Sequence, residues 1–370
     1  MNTKSHVSHS ALSLLSLIAV VFILYIIKPF IVPILFAIIL SVMIFPIQRF
    51  LEKKWRCNRL FATLTSLTTL FFITALIFTL ISTRLMYFMD NIEVYSQKLG
   101  ELFHNSVNSL EHIFNIGNNR LFSQNELKAE NIIKDNLDKI GVLLSESSSL
   151  LSDLVLIPIY IFFFLYYRAF FRTFLYKVFR TRDKSFINKI LKKIVEIQQN
   201  YLLGLIIVIV IVGCLNSLGL LLLGIGNPFF FGFLAAFLLL IPYIGVIIGS
   251  LLPAIIALAT KDSAWYAFGV IAVFGFIQFL EGNFITPKIT GSKVSVNAFV
   301  AISSLVLFSM LWGITGMILA LPITATLKIL FDNTPGYEAY GFLIGEPVNK
   351  HLQSKARMRL KKWKSIRNAK

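Results

Sequence analysis

The chain has 370 residues, is 56% hydrophobic and only 14% charged, and carries a formal net charge of +17. A soluble domain has about 25% charged residues, so that class is excluded. Arg49–Arg59, Arg168–Lys193 and Lys350–Lys370 hold 23 of the 35 Lys and Arg, and each cluster lies between or after apolar runs. That is the placement of positive-inside loops, which points to a lipid bilayer as partner and away from nucleic acid.

In chain order, eight apolar segments are predicted: 11–27, 31–48, 60–83, 151–167, 201–223, 229–259, 264–284 and 298–330. Each is near or above the length of roughly 20 residues that crosses a bilayer. The first is read as a retained membrane helix, because Lys28-Pro29 follows it and no small-residue cleavage site appears. Eight crossings place all three basic clusters and both termini in the cytoplasm. The fold class is therefore an all-α, multi-pass membrane protein. Its parts are N-terminal membrane helices (1–84), an extracytoplasmic segment (85–150), a membrane core (151–335) with a cytoplasmic basic loop (168–200), and a basic tail (336–370).

Two polar-rich stretches are amphipathic. In 85–150, Leu99, Leu102, Phe103, Val107, Leu110, Ile113 and Phe114 recur at helical spacing, which predicts helices outside the membrane or against a neighbouring subunit. On the basic side, Phe186, Ile187, Ile190, Leu191 and Ile194 interleave with Lys184, Lys189, Lys192 and Lys193. That pattern suits an interfacial helix on an anionic leaflet, or an arm joining two membrane bundles.

The segments 229–259 and 298–330 are long for one crossing, and both contain helix breakers. Pro242, Gly245, Gly249 and Pro253 lie in the first; Gly313, Gly316 and Pro322 lie in the second. Proline removes a backbone donor, and the freed carbonyls in lipid must be satisfied by protein or a water-lined cavity. Broken or re-entrant helices are one outcome and long kinked helices the other. The stretches 29–46 and 228–242 each open on Pro-Phe and close on proline, a faint internal echo.

Enzyme chemistry finds little support. There is no GxxxxGK[ST] loop, HExxH or GxSxG. The two cysteines, Cys57 and Cys214, form no zinc pattern, and the histidines lie outside the apolar runs, so no metal and no cofactor are expected. Glu281 is the one acid near membrane depth, with Gln278 on the same helical face and Asn283 and Lys288 shortly after. A carboxylate there is costly without a task or a partner. It can take up a proton, and oxygen-rich surroundings suit a small cation. The other outcome is a glutamate paired with Lys288 at the outer interface. Asn216, Ser217, Thr315, Thr324 and Thr326 are further polar residues inside apolar runs, where such side chains usually glue helices together.

Three blocks, "PYIGVIIGSLLPAIIAL" (242–258), "QFLEGNFITPKITGSKVSVN" (278–297) and "WGITGMILALPITATLK" (312–328), resemble the autoinducer-2 exporter (AI-2E) family of bacterial membrane proteins. The resemblance implies a homo-oligomeric secondary transporter with re-entrant hairpins, moving a small polar solute, or Na+ and H+. It carries Pro242, Tyr243 and Gly245 in the first block, Glu281, Asn283, Pro287, Lys288 and Gly291 in the second, and Gly313, Gly316 and Pro322 in the third. The glycines and prolines are assigned to helix shape; Glu281, Asn283, Gln278 and Lys288 are candidates for transport or ion coupling. Val246 departs from the family pattern, which commonly has proline after Pro-Tyr-Ile-Gly. A non-transport scaffold or permeability factor, acting through the basic tail and outer helices, is the alternative.

Overall fold

The computed structural model describes residues 3–90, 148–179, 183–240, 244–291 and 296–346. Most of the outer segment (85–150), the basic tail from 347, Pro242 and Tyr243 lie outside the described residues. Every element among those described is a helix, and the one β-type contact is an isolated bridge between Val296 and Gly345.

The order is α1 (Thr3–Ile26), α2 (Lys28–Lys54), α3 (Arg59–Asp90), α4 (Ser148–Tyr166), α5 (Arg168–Val178), α6 (Lys184–Leu222), α7 (Pro228–Leu238), α8 (Ile244–Thr260), α9 (Trp265–Leu280), α10 (Ala298–Trp312), α11 (Ile314–Asp332) and α12 (Glu338–Ile344). By length and composition five stretches can cross a membrane: Lys28–Lys54, Arg59–Arg84, Lys184–Leu222, Trp265–Ile289 and Ile314–Asp332. The pair α4–α5, bent by 72°, makes a sixth if counted as one span. The outward faces are greasy: Phe71, Phe72 and Phe78 on α3 are exposed, as suits a helix whose solvent is lipid.

α6 is a single helix of 39 residues, roughly 58 Å long. The basic stripe of 184–195 is therefore its first turns, continuous with the apolar run of 201–223, and not a separate surface helix. α2 and α6 run antiparallel, since the Gln199 side chain donates to the Val42 carbonyl and Leu202 packs near Val32 and Ile39. This brings two of the basic clusters to one end of the molecule, where Arg168 pairs with Glu52 at 2.5 Å.

Both long segments fold back on themselves. In the first hairpin, α7 and α8 run antiparallel at backbone contact. A Cβ on Gly245 would sit 1.9 Å from the Leu238 carbonyl oxygen, and one on Gly249 would sit 2.5 Å from the Ala235 Cβ. Glycines four apart let two backbones approach this closely. The hairpin closes where it opened: Lys261 Nζ lies 3.1 Å from the Cβ position of Gly224, just past the end of α6. The second hairpin, α10–α11, turns at Gly313, whose φ of +71° strains any residue with a side chain. Gly316 repeats the close approach, with its Cβ position 1.9 Å from the Phe308 carbonyl oxygen. Asn297 caps α10 by accepting from Val300 N–H, and its Nδ2 donates to the carbonyls of Leu343, Ile344 and Gly345. The two ends of this segment thus lie side by side.

Neither 229–259 nor 298–330 is a simple crossing, and α7, at 11 residues or about 16 Å, is too short to be one. Each hairpin returns the chain to the end it came from. Relative to eight simple crossings, everything between the two hairpins is therefore reversed end for end. α9 packs antiparallel to α6, with Gly219 against Val273 and Gly269 against Leu223. Trp265 is therefore level with the end of α6, and Glu281 points toward the basic end of the molecule. The sequence echo of 29–46 and 228–242 has no structural counterpart. The former is internal to the continuous helix α2, while α7 is one arm of a hairpin.

Candidate functional site

Gly282 weakens the end of α9, and Pro287 supplies no N–H and crowds the turn before it. The backbone responds by widening into two π-helical turns, Glu281–Ile285 and Pro287–Gly291. The Thr286 N–H bonds to the Glu281 carbonyl five residues back. Wide turns of this kind recur at functional sites. Here the widening stacks residue 286 over residue 281.

Glu281 consequently gains two neutral donors. Gln278 Nε2 donates to Oε2 at 2.7 Å, and the Thr286 hydroxyl donates to Oε1. The side chain is half-buried. The ion pairs among the described residues are Glu52–Arg168 and Lys328–Asp332, and Glu281 belongs to neither. A pairing with Lys288 is not formed; Lys288 is exposed. The carboxylate is positioned by one amide donor and one hydroxyl donor.

Asn283 stands apart from this cluster. It is exposed, and its Nδ2 donates to the Phe279 carbonyl of its own helix at 2.9 Å. Gly245, Gly313 and Gly316 shape the hairpins, Pro287 and Gly291 bound the second wide turn, and Pro322 is buried within α11. The Pro322 carbonyl accepts from Gln198 Nε2 at 2.7 Å, which ties the second hairpin to α6.

Beside Gln278 lies a partly open pocket of about 10 Å³, lined by Val212 and Asn216 of α6, Ala235 and Leu239 near the tip of the first hairpin, Val246 of α8, and Phe274, Ile277 and Gln278 of α9. Asn216 is 4% exposed, and its Oδ1 has no hydrogen-bond partner. Gln278 thus lies between the Glu281 carboxylate and a small, mostly apolar pocket.

A second polar group at the basic end was not singled out from the sequence. Gln48 Nε2 donates to Thr63 at 2.8 Å and to Glu52 at 3.1 Å, and Arg168 pairs with Glu52 and lies over the Phe45 ring at 5.3 Å. Glu52 is the lone acid of the Arg49–Arg59 cluster, which was the available signal. Thr286 was also missed, because ideal helical spacing puts residue 285 over residue 281.

Broken helices beside a polar site recur in secondary transporters. The family comparison agrees: residues 14–336 match the model of the AI-2E family transporters. The chain belongs to that family. It is 26% identical to the putative transport protein YueF of Bacillus subtilis over 83% of this chain and 87% of that one. It is 32% identical to the putative transport protein YrrI of the same organism, over 42% of each chain, under half of that relative's length. The AI-2 transport protein TqsA of Escherichia coli is 30% identical over 32% of this chain and 34% of its own.

Proposed function

We propose that this chain is a secondary transporter of the bacterial inner membrane, with both termini cytoplasmic, that moves a small polar solute or a cation with coupling to H+ or Na+ at Glu281. The single observation carrying the coupling is the Glu281 carboxylate, held by Gln278 and Thr286 with no ion-pair partner among the described residues. A lone acid fixed by neutral donors at a helix break can exchange a proton or small cation as the surroundings change. The opposed hairpins supply elements that can open the site alternately to either end. A homo-oligomer of such units suits the exposed apolar faces. AI-2, named for the Escherichia coli relative, is the first organic cargo to test.

The test is proton movement in proteoliposomes under an imposed sodium or pH gradient. Wild type should show sodium-dependent proton flux, and Glu281→Gln should lose it while remaining folded. No proton flux in wild type, with or without AI-2, overturns ion-coupled transport. If removal of residues 350–370 abolishes a cellular effect that vesicle flux does not explain, the scaffold alternative gains.

A further inference from the structure

None of the 11 residues of α5 is buried, yet its sequence divides into two faces. Phe170, Phe171, Phe174, Leu175 and Val178 share one side of the helix at helical spacing. Arg168, Arg172, Thr173 and Lys177 share the other, and no acid occurs between Arg168 and Val178.

The polar face is the one that turns to the protein. Arg168 pairs with Glu52 of α2, and the Tyr176 hydroxyl donates to Asn188 Oδ1 of α6 at 2.5 Å. Phe171 packs back on Phe164 of α4, with ring centroids 5.3 Å apart, and holds the elbow. Phe170, Phe174 and Val178 are left exposed. A helix surrounded by water would be packed the other way round, with its apolar side inward. α5 also leaves α4 at 72°. With α4 crossing the bilayer, α5 lies near its plane, where headgroups meet acyl chains.

The elbow contributes Tyr166, Tyr167, Ala169 and Phe170 to an open pocket of about 460 Å³, and the start of α3 contributes Asn58 and Arg59. Arg59 is half-buried. A guanidinium has five N–H donors, and the hydrogen bond Arg59 makes is a long one, 3.4 Å from Nη1 to the Tyr166 carbonyl. None of Arg59, Arg172 and Lys177 belongs to an ion pair among the described residues. Phe170 belongs both to the pocket and to the exposed apolar face.

Charge and apolar surface together select the occupant. A phosphate diester presents two oxygens to a guanidinium, and acyl chains cover phenyl rings. A free phosphate would use the charge and leave Phe170, Phe174 and Val178 bare. A zwitterionic lipid would bring a cation of its own to a positive site. We propose that the α4–α5 elbow binds one anionic phospholipid of the leaflet at the basic end. Its phosphate sits at Arg59, its acyl chains lie along Phe170, Phe174 and Val178, and the exposed Arg172 and Lys177 add to the attracting field. The interfacial helix is therefore α5 and not the lysine-rich stripe of 184–195. This site shares no residue with the Glu281 cluster and does not depend on ion coupling.

The experiment is native mass spectrometry of the purified full-length protein, titrated in detergent with phosphatidylglycerol or with phosphatidylcholine carrying the same acyl chains. Wild type should hold phosphatidylglycerol in clear preference. Arg59→Gln should weaken phosphatidylglycerol roughly fivefold, the effect of one cation near a charged surface, and leave phosphatidylcholine unchanged. Phe174→Ser should weaken both lipids alike. If Arg59→Gln does not fold, Arg172→Gln combined with Lys177→Gln decides, and should lower the same preference roughly twofold or more. Equal retention of the two lipids by wild type overturns the site, as does an equal preference in wild type and Arg59→Gln. Displacement by soluble glycerol phosphate as readily as by the lipid would assign the pocket to a free phosphate and overturn the lipid. Release of a co-purified protein by Phe174→Ser, with lipid retention unchanged, would make this face a protein-docking surface and overturn it too.

Discussion

The two hairpins solve one problem by the same device and then diverge. Each brings a glycine so close to its partner helix that an added Cβ would lie 1.9 Å from a carbonyl oxygen, Gly245 on Leu238 and Gly316 on Phe308. The first hairpin then packs against α6 and α9 around a small, mostly apolar pocket, with Asn216 incompletely bonded. The second is sealed. Trp312 at its tip is buried and donates from Nε1 to the Leu24 carbonyl at 3.0 Å, Gln198 holds Pro322, and Asn297 clasps the carbonyls of Leu343 to Gly345. The second hairpin is the one that side-chain hydrogen bonds tie to other elements, and Gln198 Oε1 there is, like Asn216 Oδ1, buried without a partner.

The largest effect should come from the shared device. Gly245→Leu or Gly316→Leu forces the two backbones apart and costs on the order of 3 kcal/mol. Loss of the monodisperse species in size-exclusion chromatography would register it, and wild-type melting of either variant would break the comparison at its base. Next is Glu281→Gln, which should reduce coupled flux at least tenfold with little change in melting temperature. Flux retained, or a large loss of stability, would move Glu281 from coupling to structure. Asn297→Ala removes a helix cap and three inter-element hydrogen bonds, so it should cost about 1–2 kcal/mol. Thermal unfolding measures this, with the fall confined to stability and coupling intact. Smallest is Trp312→Phe, which keeps the packing and loses one hydrogen bond, about 0.6–1 kcal/mol in a membrane protein. A coupling defect in this variant would show that the second hairpin is also a moving part.

Much was legible from the residues. Pro228–Leu238 and Ile244–Thr260 flank the predicted break, and Gly313 marks the other turn. Thr286 was hidden because a π turn changes the period from which neighbours are inferred. Asn216 was visible as a polar residue in an apolar run, yet nothing in its spacing told a glue residue from an unsatisfied one. Asn283, close to Glu281 in sequence, is not joined to it by a hydrogen bond, and its amide bonds back to Phe279.

Composition and periodicity alone determined that this chain is an all-helical membrane protein, where the helices lie, and that basic loops gather at one end. Those properties follow from transfer of each residue from water to lipid, which is local and additive along the chain. Only the tertiary structure decided that two segments return instead of crossing, and so at which end Glu281 lies. Apolar runs are equally at home in a hairpin and in a span. The difference is made by contacts between residues distant in sequence, such as Gly224 with Lys261 and Asn297 with Leu343.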